Sequence, residues 1–207
     1  QQLEAEGWDV NVRNPGGWST LGWFTDPILS NMLLKSEGDL ASLIIHEMVH
    51  ATIFVKDSID FNENLASFIG DRGAEKFLIS KYGEQSEPYQ SYIQEDKEFL
   101  AYVDHILRGC AYLDSVYTAI ADKSEKEKLT IKENSIRTIM ESADSLSFTV
   151  LLHPSKRHLN ALPNNAYFMS FRRYQSKQHD FWTEWRDDFN SDLKAYINYL
   201  SKQHPFL

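Results

Sequence analysis

His46 and His50 stand four residues apart, with Glu47 directly after the first, in the stretch "LIIHEMVHATIFV" at residues 43–55. On a helix this spacing is little more than one turn, so both imidazoles project from one face. Two imidazoles so placed can grip one tetrahedral zinc ion. Glu47, projecting beside them, can reach a water on that ion without ligating it. This is the H-E-x-x-H arrangement of metallopeptidases. The same residues also admit a plainer reading as two hydrogen-bonded core histidines. The apolar flanks Leu43, Ile44, Ile45, Val49 and Ile53 predict a helix seated in the interior. Three polar groups without partners are costly there, and a metal supplies the missing partner.

Zinc needs a third protein ligand and an open fourth position. The residues after His50 read "ATIFVKDSID" and lack the glycine and histidine of a metzincin extension. Glu63, in "NEN", lies thirteen residues after His50, at the start of the next predicted helix. A helix, a short turn and an antiparallel second helix would bring Glu63 back to the two histidines. Its helical neighbours Ala66, Ser67 and Gly70 are small enough to let the two helices approach closely. The alternative for Glu63 is a first-turn acid stabilised by the helix dipole.

The elements that must position these residues follow from periodicity. Trp8, Val10 and Val12 alternate at period two, "NPGG" makes a turn, and Trp18, Leu21 and Trp23 continue beyond it. This predicts two short strands, the second an edge that an extended peptide could extend. From Glu37 onward the pattern is helical. "SEGD" supplies capping residues for a helix over 40–55, and further helices are predicted over 62–82, 89–121 (broken or kinked near Gly109), 126–152, 165–176 and 181–201. Residues 153–165, with two prolines and His153 and His158, read as an irregular, solvated loop. The fold class is therefore α+β, mainly α: a small N-terminal antiparallel sheet or hairpin packed on the H-E-x-x-H helix, then a helical C-terminal part. The division is a core over 1–82 and a helical subdomain over 83–207 that completes the cleft.

Composition excludes several functions. The 207 residues carry a formal net charge of −9, which disfavours nucleic acid and anionic membrane surfaces as partners. The basic clusters "SKRH" and "FRRY" are too short to reverse this. No stretch approaches the roughly 18–20 apolar residues of a membrane span. The single cysteine, Cys110, rules out an internal disulfide and a thiolate-rich zinc site, and its apolar-periodic setting reads as core.

In these blocks the chain resembles the gluzincin class of zinc peptidases, and within it a bacterial family of zinc-dependent aminopeptidases. The similar segments are "STLGWFTDPILS", "IIHEMVHATIFVKD", "FNENLASFIGDRGAEKFL" and "LNALPNNAYFMSFRRY", in order up to Tyr174. The resemblance implies a zincin-like core with zinc held by His46, His50 and Glu63, and Glu47 as general base. It implies a peptide substrate, with Asn164, Asn165 and Tyr167 of the "NNAY" block in substrate binding. It places a tyrosine for the oxyanion at Tyr174, although Tyr167, seven residues earlier, can share its helical face. Family members extend further at the N-terminus, many with a lipoprotein-type export signal, so the resemblance implies a C-terminal portion of a bacterial envelope protein. Two positions depart from the gluzincin pattern. "WSTLGWF" holds no glutamate to bind a substrate's α-amine, and Ser67 stands where many gluzincins place an aspartate behind a histidine ligand. The activity implied is peptide-bond hydrolysis by a zinc aminopeptidase. The alternative is a non-catalytic envelope binding or maintenance module that keeps a structural zinc, in which Glu47 would have no use as a base.

Overall fold

The computed structural model of the chain describes residues 2–12, 27–151 and 162–204. These residues are mostly helical: α1 (Gln2–Ala5), α2 (Glu37–His50), α3 (Ile59–Tyr82), α4 (Glu87–Ala119), α5 (Glu125–Ser142), α6 (Asn165–Gln175), α7 (Gln178–Phe189) and α8 (Leu193–Gln203). Among the described residues there is no sheet, which corrects the expected α+β class. The first predicted strand, at Trp8, Val10 and Val12, is irregular chain, and the second, with Trp18 and Trp23, lies outside the described residues. Alternation alone makes no strand, because a strand also needs a ladder partner and a face to bury. Trp8 is 66% and Val12 89% exposed. The segment is held by polar links instead: the Asp9 carboxylate accepts from Lys132 Nζ and Asn165 N, and Val10 O from Asn164 Nδ2.

The chain forms two compact units. One comprises residues 1–12 and 94–172, the other residues 13–93 and 173–207. In the first, α4 and α5 pack through Tyr102, Ile106, Cys110, Leu113, Ile136, Ile139 and Met140, with Phe168 of α6. Gly109, predicted to break α4, sits within an unbroken helix. A Cβ there would lie 2.8 Å from Ile139 Cγ2, so this glycine serves close helix packing. The predicted helix over 126–152 stops at Ser142, a 3-10 turn follows at Ala143–Ser145, and the chain beyond it is bound by the buried Glu98. Its carboxylate accepts from the backbone N–H groups of Thr149 (2.8 Å), Val150 (3.0 Å) and Leu151 (2.9 Å) and from the Thr149 hydroxyl and Gln94. Those amides are therefore withdrawn from any helical ladder.

Burial pushes the Glu98 pKa up, but the hydrogen bonds from Thr149, Gln94 and Leu151 outweigh it and hold the carboxyl well below the usual range. A depressed folded pKa contributes stability above the unfolded pKa of about 4.3 and loses it as pH falls towards the folded value. Glu98→Gln should therefore lower Tm by several degrees at pH 7, with the gap to wild type narrowing below about pH 4. A gap that stays constant with pH, in melting curves across that range, would count against this account.

In the second unit, α2 and α3 form a helical hairpin, and α7 and α8 pack on α3. Val49 and Ile53 join Leu65, Ala66, Phe68, Ile69, Phe181, Tyr196 and Leu200 in its core. Of the apolar flanks expected to bury α2, Ile44 is exposed, as is Met48, so α2 is amphipathic and not fully interior. The predicted final helix divides in two. Asn190 and Ser191 adopt positive φ (48° and 59°), and Asp192 then caps α8 by accepting from Lys194 N and Ala195 N. Among the described residues no helix is long and apolar enough to cross a membrane.

Candidate active site

The hairpin is built to bring α2 and α3 close. Ser36 caps α2, its side chain accepting from Asp39 N. A Cβ on Gly70 would lie 2.8 Å from the Ser42 carbonyl oxygen, and one on Gly73 2.7 Å from Ile45 Cδ1. At Gly70, which faces backbone, only glycine admits that approach. α2 ends at His50, short of the expected Val55, because Val55 is claimed by another partner. The buried Asn62 side chain accepts from Val55 N (2.9 Å) and donates to Val55 O (2.8 Å). This clamp turns the chain into α3. Contacts then step four residues back along α2 as they step four forward along α3: His50 with Glu63, His46 with Ser67, and Ser42 with Asp71. The register is that of antiparallel helices sharing one i, i+4 face.

At the turn end of this face three donor atoms converge. His46 Nε2 and His50 Nε2 are 3.2 Å apart, and Glu63 Oε2 lies 3.4 Å from the first and 3.7 Å from the second. Tetrahedral zinc with bonds of about 2.0–2.1 Å separates its ligand atoms by about 3.3–3.5 Å. The donor set, two imidazole nitrogens and one carboxylate oxygen, and its spacing therefore fit one such ion. The side chains of His46, His50 and Glu63 are 16%, 12% and 21% exposed, largely dry but reachable. Burial pushes the Glu63 pKa up, but hydrogen bonds and charge from His46 and His50 overcome this and lower it to about 2.

Ser67 Oγ lies 3.4 Å from His46 Nδ1. When Nδ1–H donates to this hydroxyl, the lone pair of His46 falls on Nε2, facing the other two donors. Ser67→Ala should weaken zinc affinity about tenfold, the low end for loss of an outer partner, since 3.4 Å is a long hydrogen bond. Competition titration with a zinc chelator measures this, and an unchanged affinity would remove Ser67 from the site.

Glu47 lies half-buried on α2 between the two histidines. Among the described residues its carboxylate takes part in no hydrogen bond or ion pair. Tyr174, half-buried on the last turn of α6, falls in the same unit as His46, His50 and Glu63. Tyr167, Asn164 and Asn165 fall in the other unit. There the Tyr167 hydroxyl pairs with that of Tyr102 at 2.7 Å. Asn164 donates to Val10 O, and Asn165 Oδ1 accepts from the Tyr117 hydroxyl at 2.6 Å.

The sequence reading selects Glu63 from "NEN" and passes over the asparagines on either side. Both are buried and both make interhelical or turn-closing hydrogen bonds. The available signal was two polar side chains in the first turns of a helix whose next residues, Leu65, Ala66 and Phe68, are apolar.

Comparison with known proteins adds the family. No match was found among curated proteins or solved structures. A family model described as "Putative aminopeptidase" matches residues 1–204, nearly the whole chain. The chain belongs to this aminopeptidase family, and it is thereby a peptidase-type enzyme.

Proposed function

We propose that the protein is a zinc-dependent aminopeptidase in which His46, His50 and Glu63 hold the ion and Glu47 is the general base. The observation that carries the reading is the convergence of three metal-ligand atoms within 3.2–3.7 Å, beside an acid, in a chain of the aminopeptidase family. Zinc bound there supplies a Lewis acid that polarises a carbonyl and acidifies water. Glu47 takes a proton from the attacking water on one carboxylate oxygen and delivers it to the departing amine. Ser67 keeps the His46 lone pair on Nε2. Tyr174 donates its phenolic hydrogen to the oxyanion that develops on the substrate.

The test uses the full chain with one equivalent of zinc and two peptides that differ only in N-terminal acetylation, with products identified by mass spectrometry. Stepwise loss of residues from the free peptide alone is the expected result. Internal cleavage of both would keep the peptidase and reject the amino-terminal specificity. Zinc binding without any cleavage would overturn the proposal in favour of a non-catalytic zinc module.

A further inference from the structure

Asn64, directly after Glu63, is 0% exposed. A buried carboxamide is costly unless each polar hydrogen and lone pair finds a partner. Here Nδ2 donates to Asp60 O (2.7 Å), one turn back on α3, and to Arg173 O on α6. Oδ1 accepts from Lys177 N at 2.8 Å. In a continuous helix the Arg173 carbonyl and the Lys177 N–H would bond each other, four residues apart. The Asn64 amide stands between them and satisfies both, as an inserted peptide group would. A side chain placed in the ladder in this way interrupts a helix, and α6 ends at Gln175 while α7 begins at Gln178. The next rung is replaced as well. Gln178 Nε2 donates to Tyr174 O (3.1 Å) and to the Asn64 backbone carbonyl (3.0 Å). Of the groups orphaned at these two helix ends, Asn64 of α3 thus satisfies Arg173 O and Lys177 N, and Gln178 satisfies Tyr174 O.

Tyr174 follows directly on the first replaced rung and supplies the carbonyl of the second. We propose that Asn64, with Gln178, is a positioning residue: it locks the Tyr174-bearing helix end to the helix turn that carries Glu63, so that ligand and oxyanion donor are held as one body. An apolar residue at 64 would pack, but it would fix neither the break between α6 and α7 nor the register of residues 173–178 against α3. The inference rests on the zinc-peptidase reading and on Tyr174 as the donor in it. Preorganisation of this kind acts on the transition state, so its loss should appear in kcat and leave substrate binding largely intact.

Gln178→Ala is the informative variant, because Gln178 is only half-buried and its loss leaves the core intact. Asn64→Ala is the stronger second variant. In the zinc-loaded full chain, Gln178→Ala should lower kcat about tenfold with KM within about twofold. In a Tyr174→Phe background the same change should have less than about a twofold further effect, since the residue it positions is already disabled. Zinc affinity should stay within about threefold of wild type, because Glu63 keeps its place on α3. Hydrogen exchange of the metal-free protein should show faster exchange confined to residues 173–178. Multiplicative losses in the double variant, a fall in zinc affinity that tracks kcat, or exchange that rises across the whole unit would each overturn the inference while leaving the peptidase reading in place. A wild-type protein that binds zinc but cleaves nothing would end both.

Discussion

Glu47→Gln should lower kcat/KM for peptide hydrolysis by about 10²–10⁴-fold, the usual contribution of a general base. The carboxamide has the shape of the carboxylate but cannot accept and return the proton. Glu47 is not among the three converging donors, so zinc affinity should be unchanged within a few-fold. Nor is its carboxylate tied to another described side chain, so Tm should move little. The combination of lost turnover, retained zinc and retained stability distinguishes a base from a structural acid. Initial rates with one peptide, zinc stoichiometry and a melting curve on the same preparations measure all three. Equal turnover by the two proteins would remove Glu47 from the chemistry.

Glu63→Ala should reduce zinc affinity on the order of 10³-fold. Loss of an outer partner of a ligand costs about 10–100-fold, and loss of a ligand atom itself costs more. The two histidines alone leave half of a tetrahedral shell to water. On the proposed reading the same site links metal to folding, and zinc at about 1,000 times its Kd should add about 4 kcal/mol to the wild-type folded state. For a chain of 207 residues that is a Tm rise of roughly 8–16 °C. Glu63→Ala at the same zinc concentration should show little of it. Differential scanning fluorimetry with zinc and with a chelator reads the difference directly. An equal rise in both proteins would place the ion elsewhere.

These expectations rest on features of unequal legibility. The H-E-x-x-H pair is local, and a helix pitch of 3.6 residues places His46 and His50 on one face in any fold that keeps α2 helical. The return of Glu63 needed only a short turn and small residues on α3, and both stand in the chain as Ala66, Ser67 and Gly70. The predicted first strand is not formed, since period-two alternation at Trp8, Val10 and Val12 looks the same whether or not a partner strand is present. In the described segment, Asp9 and Val10 are instead tied to Lys132, Asn164 and Asn165. The predicted single last helix divides at "NSD", where Asn tolerates positive φ and Asp is a strong N-cap.

What the sequence by itself determined was the chemistry on offer: two imidazoles and a carboxylate that a helical hairpin can bring to one point, with an acid next to the first. Those residues lie at most seventeen positions apart, within reach of helix geometry and one turn. The tertiary structure decided the rest. It set the register that puts Ser67 behind His46, the division of Tyr174 and Tyr167 between two units, and the insertion of Asn64 into the ladder between α6 and α7. Asn64 and Lys177 are 113 positions apart. No local period encodes such a bond, because it exists only once the packing of α7 and α8 on α3 has brought that helix end within hydrogen-bonding distance of a buried amide.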